Sequence, residues 1–314
     1  MYIFIVNPKA GHGRAKRVFT KITKSDLYQE LDSKHYYTQY KGHAEEIVQT
    51  IIRKDKHIKS VIIIGGDGTL HEVVNGFDHH YIPISFIPGG SGNDFARGCS
   101  IKGDPVDILA SIIEQTEPRN YWLGEYTTNH QQLRYFINCM GVGFDAEIAQ
   151  VANESSYKKI FNFFRLGKLT YLLALIQVLI HFQPLDVEVI VDGRKRVITN
   201  CWMITITNHP FYGGGMKIIP SSVIEPRQFP VLIVHSISKW KVFGLFMTVF
   251  SGKHLHFKEV ELIKTTHLQI NSPRQFFYHV DGEVNKCQTC VVKKQSKAID
   301  VQGIYNKSLE RLSK

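Results

Sequence analysis

Three glycine-rich loops hold the residues that could do chemistry in this chain. The segments NPKAGHG (7–13), GGDGT (65–69) and PGGSGND (88–94) each follow an apolar, strand-like run. Glycine lets a ligand approach the backbone without a Cβ in the way. GGDGT also leads into a helix-like segment, so its free N–H groups would face a bound anion. One such loop is equally typical of a capped turn, but three in one domain predict a nucleotide site.

Asp67 is the residue of these loops that would repel a bound phosphate. Its carboxylate fits such a site if a metal ion lies between the two, or if it takes a proton from an incoming hydroxyl. Both roles belong to phosphoryl transfer, and the residues leave the choice open. No GxxxxGK[ST] motif occurs, which excludes a P-loop enzyme. GVGFDA (141–146) is only a weak match to a dinucleotide fingerprint, because no ribose-binding acid follows it convincingly.

Repeated strand–turn–helix units position the loops within residues 1–100. Apolar runs predict strands at 2–6, 35–40, 60–64 and 82–88, and helical spacing predicts helices at 14–24, 43–54 and 69–77. This repetition predicts a parallel sheet with helices on its faces. Ligands bind such sheets at the carboxyl ends of the strands, so the three loops should meet on one edge.

After residue 120, strand-like runs separated by short turns dominate the chain. They cover 134–144, 185–193, 194–208, 229–237, 259–271, 276–283 and 290–294. Asp192-Gly193 is a hairpin signal between two of these runs. We expect helical material here only at 157–181 and 238–251.

The predicted fold class is therefore α/β plus β, with two domains and a cleft between them. Residues 1–120 would form an α/β nucleotide-binding domain with a parallel sheet, rejoined by residues 298–314. Residues 121–297 would form a mostly antiparallel, sandwich-like β domain that completes the cleft. A chain of 314 residues is long enough for two such domains.

Composition indicates an intracellular protein with anionic partners. The net charge of +10 suits nucleotides, nucleic acid or an acidic membrane surface. The start has no basic segment before its short apolar run, which predicts no secretory signal. Five cysteines, mostly in apolar runs, fit reduced thiols in the cytosol. Cys287 and Cys290 form a lone CxxC, which we expect to be structural thiols on a turn rather than a zinc site.

One apolar stretch raises the question of a membrane span. Residues 169–185 contain no Lys, Arg, Asp or Glu, but Gln177 and His181 interrupt the stretch and Pro184 ends it. A span needs about 20 apolar residues, so we expect a helix packed within the protein and no transmembrane segment. The cationic, aromatic segment just before it, 157–169, suits either docking on an acidic bilayer or packing between domains.

The basic residues after the first loop also have two interpretations. Arg14, Lys16 and Arg17 either face phosphate or anionic lipid, or form a solvated helix face.

Several motifs occur in the order seen in the diacylglycerol kinase catalytic-domain family. They are Asn7-Pro8-x-x-Gly11, Gly42-His43-Ala44, Gly65-Gly66-Asp67-Gly68-Thr69 with Glu72 to Gly76, Pro88 to Arg97, Phe136-x-Asn138 with Gly143 to Ala146, and Val280-Asp281-Gly282-Glu283. The chain resembles this family over nearly its whole length, and most of all its soluble bacterial lipid kinases. Sphingosine and ceramide kinases are more distant relatives of that branch. GGDGT alone is shared with NAD kinases, whereas GSGNDFAR with a late DGE is more specific to lipid kinases.

The resemblance implies an ATP site between two domains and a lipid head group entering the cleft. Glu283 matches the family's proposed general base, which would take the proton of the lipid hydroxyl. Asp67 and Asp94 would position phosphate, metal or acceptor, and Asp281 would join the catalytic group. From the residues alone, Asp281 and Glu283 would read as a turn between strands.

The same resemblance assigns residues to the nucleotide and to Mg²⁺. A catalytic Mg²⁺ would arrive with ATP, with Asp67 as its ligand. The residues expected around the nucleotide are Asn7, Pro8, Lys9, Ala10, Gly11, Thr38, Gly65, Gly66, Asp67, Gly68, Thr69, Leu70, His71, Ser91 and Asn93.

Two segments depart from the family pattern. Trp122 stands in the run Tyr121 to Gly124 where the family usually has an aspartate. Pro220 to Arg227 lacks the aspartates that hold a structural Mg²⁺ in the family, and Arg227 adds a positive charge. Glu225 would serve as a ligand only after a register shift, so we expect this structural site to be lost.

Three hypotheses follow for the function. The first is a cytoplasmic lipid kinase, peripheral to the inner face of the membrane, that uses ATP and Mg²⁺ and phosphorylates diacylglycerol by default. This hypothesis includes no nucleic-acid partner and leaves open whether the chain forms a homodimer. The alternatives are a NAD kinase-like enzyme and a catalytically impaired protein that binds lipid or nucleotide, the latter motivated by Trp122 and the missing aspartates.

Overall fold

The computed structural model describes residues 1–55, 57–77, 82–114, 118–129, 131–154, 167–249 and 251–303, with side chains from 172 onward in the helix that begins at 167. The cationic segment predicted to dock on a bilayer lies, up to residue 166, outside the described residues. So do residues 304–314 of the predicted C-terminal return.

The N-terminal part alternates strands and helices as predicted. Its elements are β1 (Tyr2–Val6), α1 (Ala10–Thr23), α2 (Asp26–Gln29), β2 (Ser33–Tyr37), α3 (His43–Lys54), β3 (Ser60–Gly65), α4 (Asp67–Gly76), β4 (Ile84–Pro88), α5 (Asp94–Gly98), α6 (Pro105–Glu114) and β5 (Arg119–Tyr121). Strands β1 to β4 pair in parallel in the order β2-β1-β3-β4, which confirms the parallel sheet. Residues 61–64 of β3 are all buried, because helices cover both faces of such a sheet.

The C-terminal part is built mainly from antiparallel strands. Its elements are β6 (Gly124–Thr128), β7 (Arg134–Phe136), β8 (Cys139–Gly143), α7 (Phe144–Glu154), α8 (Gly167–His181), β9 (Leu185–Val191), β10 (Arg194–Thr207), β11 (Phe211–Tyr212), β12 (Met216–Lys217), β13 (Phe229–His235), α9 (Lys239–Val249), a 3₁₀ turn (Lys253–His256), β14 (Val260–Thr265), β15 (His267–Val280), β16 (Glu283–Lys294) and β17 (Ile299–Gln302).

Within the described residues, nine of these strands form one antiparallel sheet. The order is β14-β13-β10-β8-β15-β16-β6-β7, with β9 pairing β10 and β15. This confirms the β-rich second domain. Strand β17 leaves that sheet and lies between β4 and β5 in the N-terminal sheet.

The predicted hairpin at Asp192-Gly193 is confirmed, with both residues in the left-handed region. The prediction of a turn at Cys287 and Cys290 is wrong. Both lie inside β16, opposite Phe276 and Ile270, and their buried thiols belong to the hydrophobic core of the β domain. Spacing alone could not distinguish a turn from a strand because residues 284–289 are largely polar.

Helix α7 contradicts the prediction that helical material is limited to 157–181 and 238–251. Gly143, at φ 90, ends β8 and the chain turns directly into α7. The available signal was Gly143 followed by Phe-Asp-Ala, with Asp145 in the first helical turn. Strand β8 is antiparallel to its neighbours, so this unit is not a dinucleotide fold.

Helix α8 confirms the expectation of a packed helix at the apolar stretch. Ala174, Leu175 and Val178 are buried in a core shared with α7 and α9. Among the described residues, no helix combines the length and apolar character that crossing a bilayer requires.

Candidate active site

The three glycine loops meet at the carboxyl edge of the parallel sheet, as their positions after β1, β3 and β4 predict. A Cβ on Gly11 would collide with the carbonyl of Gly89, and a Cβ on Gly90 would collide with the Cα of Gly66. Gly11 also adopts φ 55, which favours glycine. These contacts between backbones require glycine.

Side chains fix the loops to one another. Asn7 Nδ2 donates to Thr69 Oγ1 at 2.9 Å, and the Lys9 N–H donates to Asn7 Oδ1 at 3.1 Å. Asn93, at φ 54, closes the third loop: its amide exchanges two hydrogen bonds of 2.9 Å with the backbone of Gly90. Asn93, which the sequence predicts to lie around the nucleotide, therefore fixes the conformation of the loop through its backbone.

A cleft of about 420 Å³ opens over these loops, within the size range of small-molecule sites. Nine of the predicted nucleotide residues line it: Asn7, Lys9, Ala10, Gly11, Thr38, Gly66, Gly68, Thr69 and Ser91. The segment after β2 adds Gln39, Tyr40 and Lys41, which the sequence did not single out.

Glu72 also lines the cleft and has a role that the sequence did not reveal. Its carboxylate accepts the N–H groups of Gly42 at 2.8 Å and Ala44 at 3.1 Å. It thereby caps the first turn of α3 from α4. Both partners belong to quoted motifs, but their order along the chain says nothing about this contact.

Glu283 is the acidic residue that the second domain contributes to the cleft. It begins β16, and its side chain is 35 % exposed and paired with Lys41. Its Oε1 lies 3.9 Å from where a Cβ on Gly68 would be. The carboxylate therefore faces the GGDGT loop across the domain boundary.

Asp67 holds the third loop, a role in addition to the two predicted ones. Its two oxygens accept the N–H groups of Asp94 and Phe95, each at 3.1 Å, and Asn138 Nδ2 approaches at 3.4 Å. Burial and then the nearby Asp94 charge raise the pKa of Asp67 to about 6. Oδ1 has two donors, Phe95 and Asn138, so Oδ2 is the oxygen that keeps a second lone pair for a Mg²⁺ whose other ligands are phosphates and water.

Asp94 and Asp281 are anchors rather than cleft residues. Asp94 accepts from the Gly214 N–H at 2.7 Å and from Arg97 at 2.8 Å, and burial raises its pKa. Asp281 accepts three backbone N–H groups, from Ile137, Asn138 and Cys139, at 2.8 to 3.1 Å.

The fourth partner of Asp281 is His71, whose Nδ1 lies 2.9 Å from Oδ2. The Asp281 side chain is fully enclosed. This corrects the predicted catalytic role, because an enclosed carboxylate cannot touch a substrate. Asp281 instead joins α4 to the β7–β8 turn and thereby joins the two domains.

Four other predicted nucleotide residues also lie off the cleft surface. Leu70 is fully buried in the N-terminal core, and His71 bonds Asp281, so neither side chain reaches a ligand. Gly65 ends β3 against Thr69, and Pro8 sits between two lining residues. Their positions in a motif reflect packing under the loops.

The basic residues after the first loop separate. The Arg14 guanidinium donates to the carbonyl of Gly90, so it braces the third loop. Lys16 and Arg17 are exposed on α1.

The segment Pro220 to Arg227, which lacks the aspartates of the family pattern, does not fit a structural Mg²⁺. Its carboxylate, Glu225, pairs with Lys264 at 3.1 Å, and Ser222 Oγ lies 3.1 Å from Thr207 Oγ1. Trp122, at the other departure, packs against the N-terminal core. Mg²⁺ prefers several oxygen ligands, and here the carboxylate already has a cation.

Comparisons with known proteins agree with this architecture. Residues 1–124 match the diacylglycerol kinase catalytic domain, and residues 138–302 match the YegS C-terminal NAD kinase beta sandwich-like domain. A Bacillus subtilis (strain 168) protein named "Putative lipid kinase YtlR" is 34% identical over 90% of this chain and 93% of its own length. A diacylglycerol kinase of Staphylococcus carnosus is 28% identical over 89% of this chain and 87% of its own.

Solved structures show the same fold. A crystal structure of a Bacillus anthracis diacylglycerol kinase superposes with a TM-score of 0.69 at 20% identity, covering 98% of this chain and 97% of that one. The matched domains, their order and the relative that is 34% identical lead to one conclusion. The chain belongs to the diacylglycerol kinase catalytic-domain family of bacterial lipid kinases, with a NAD kinase-like β domain following the catalytic domain.

Proposed function

We propose that the chain is an ATP-dependent lipid kinase that transfers the γ-phosphate of ATP to a lipid hydroxyl, with diacylglycerol as the acceptor. One observation carries the proposal. A carboxylate of the β domain, Glu283, enters a cleft whose other walls are the glycine loops and lysines of the α/β domain.

The glycine loops supply the groups that a triphosphate requires. Their backbone N–H groups and the Lys9 and Lys41 side chains around the cleft suit phosphate oxygens. Bound Mg²⁺ would neutralise charge on the phosphates, and Asp67 is the carboxylate that would hold it.

Glu283 would act as the general base. In the proposed reaction its carboxylate takes the proton of the acceptor hydroxyl, and the oxygen forms a bond to the γ-phosphorus. The bond from that phosphorus to the β–γ bridging oxygen breaks, and ADP leaves with the electron pair. Lys41, its ion-pair partner, also lines the cleft and would contact the transferred phosphate in this proposal.

An exposed apolar surface on α8 and α9 supports docking on the inner face of the cytoplasmic membrane. It consists of Leu173, Ile176 and Ile180 with Trp240, Phe243 and Met247, one face of each helix. Trp240 is 88% exposed, and the Lys239 ammonium joins the helices by donating to the Ile180 carbonyl at 2.6 Å. Neither helix contains Asp or Glu, which suits an anionic bilayer.

Vesicle sedimentation tests the docking surface. Trp240→Ser should weaken binding to phosphatidylglycerol-containing vesicles by about tenfold, because one large apolar side chain no longer enters the bilayer. Leu262→Ser removes another exposed apolar side chain, from β14, and should leave binding unchanged. Equal losses in both variants would contradict the assignment of this surface.

An acceptor panel tests the kinase itself. The protein is incubated with labelled ATP, Mg²⁺ and either diacylglycerol in mixed micelles, extracted membrane lipids or NAD. We expect label in phosphatidic acid. Label in NADP, or in no acceptor while ATP binds, would refute the proposed function.

A further inference from the structure

Lys294 is a lysine in an environment that lysines rarely occupy. It ends β16 with 9% of its surface exposed, and its Nζ donates to Asn208 Oδ1 at 2.7 Å. Burial lowers the pKa of Lys294 to about 7, and Glu225 opposes that shift. Burying a lysine costs free energy, so the contacts that its amine makes are expected to matter to the structure.

Asn208 passes the contact on to the backbone. With its oxygen facing Lys294, its Nδ2 donates to the Ile137 carbonyl at 3.0 Å. The Asn208 N–H donates to the Asn138 carbonyl at 2.9 Å. Lys294 thereby fixes the orientation of an amide that clamps residues 137–139.

Residues 137–139 are the same residues that hold Asp281. Their three N–H groups all end on its carboxylate, and Glu283 follows two residues later. Asn138 also reaches toward Asp67 at 3.4 Å. Hydrogen bonds therefore connect Lys294, through Asn208 and residues 137–139, to Asp281 and to Asp67.

Glu225 belongs to the segment Pro220 to Arg227, where the family pattern has a structural Mg²⁺. Its neighbour Ile224 is buried in the N-terminal core, so the segment bridges the domains. Glu225 pairs with Lys264 at 3.1 Å, and its negative charge raises the pKa of Lys294 against the effect of burial. With this carboxylate paired to a lysine, the segment offers no ligand set for a divalent cation.

We propose that Lys294, through Asn208, is a positioning residue that performs the structural task the family pattern gives to Mg²⁺, so this chain holds its cleft without a structural metal ion. The kinetic part of the proposal rests on the proposed kinase function. Its metal and stability parts stand apart from that function.

The test compares Lys294→Met with Lys264→Met. The first variant keeps the length of the buried side chain and removes its donor, and the second removes a half-exposed lysine from the same glutamate. Metal content is measured by atomic emission, and Tm is measured with and without EDTA in the absence of ATP. Kinetics with ATP and diacylglycerol then give kcat and KM.

Wild type should contain no stoichiometric metal and keep its Tm in EDTA. Lys294→Met should lower Tm and reduce kcat by about tenfold or more with KM for ATP little changed, because the base shifts while the glycine loops stay in place. Lys294→Arg should restore part of kcat, and Lys264→Met should have little effect. If Lys294→Met fails to fold, Lys294→Arg and the wild-type metal measurement still decide.

Two outcomes would overturn the proposal. One is a tightly bound divalent ion in wild type whose removal lowers Tm. The other is a folded Lys294→Met with unchanged Tm and kcat. Absence of activity toward every acceptor would refute the kinase function instead and leave the metal and Tm results to be judged alone.

Discussion

Replacing Asp281 by asparagine should weaken the junction between the two domains. The substitution keeps the shape of the side chain and exchanges one carboxylate oxygen for an NH₂ group. Oδ1 accepts from Asn138 and Cys139, and Oδ2 accepts from Ile137 and faces His71. Whichever oxygen is replaced, an amide donor then faces hydrogen-bond donors.

The geometry gives the size of the effect. Two hydrogen bonds to a charged acceptor are lost, each worth about 1.5–3 kcal/mol, for a total of about 3–6 kcal/mol. His71 can change tautomer and accept from the new amide, which places the expected loss near the lower end, about 3 kcal/mol. That loss is a large part of the total free energy of unfolding of a folded protein, which is typically about 5–15 kcal/mol.

Urea denaturation followed by circular dichroism measures this loss, with Glu283→Gln as the matched control. Glu283 is two residues away, partly exposed and free of backbone partners among its described contacts. Its replacement should change the unfolding free energy by less than about 0.5 kcal/mol. A loss below about 1 kcal/mol for Asp281→Asn would refute the reasoning that this carboxylate holds the junction.

Two further predictions concern the loops and Lys294. Gly90→Ala should raise the Kd for ATP, measured by calorimetry, about tenfold or more, because the new Cβ meets the Gly66 backbone. The control Gly244→Ala lies in open space within α9 and should raise the free energy of unfolding by about 0.5–1 kcal/mol. Equal ATP affinity in both variants would contradict the loop packing. The folded chain holds the Lys294 proton less tightly than the unfolded chain, whose lysine pKa is 10.5, so stability should rise with pH between about 7 and 10.5. Lys294→Met should remove up to about 1.4 kcal/mol per pH unit of that rise in the free energy of unfolding, measured by urea denaturation at pH 7 and 9. An equal pH dependence in both proteins would contradict the burial of this ionisable amine.

The sequence predicts the features that depend on local patterns. Apolar runs followed by glycine loops lead to a parallel sheet, and the ends of parallel strands necessarily meet at one edge. The lining of the cleft by Asn7, Thr69 and Ser91 follows from that geometry. Glu283 required the family resemblance, because an Asp-Gly-Glu turn alone carries no such information.

The remaining features depend on contacts between distant residues. His71, Asn138, Asn208 and Lys294 join one network only after both sheets have formed, and no spacing along the chain relates them. Motif order marks several of these residues but not their partners. This is why the motif predicts a catalytic Asp281, whereas the structure shows an enclosed anchor.

The most direct test of the central claim is single-turnover phosphoryl transfer from labelled ATP to diacylglycerol by wild type and Glu283→Gln. The account predicts that the variant binds ATP with wild-type affinity and unfolds at the same urea concentration, while its transfer rate falls by at least about a hundredfold, since the base is lost. A Glu283→Gln protein that transfers phosphate at the wild-type rate would contradict it.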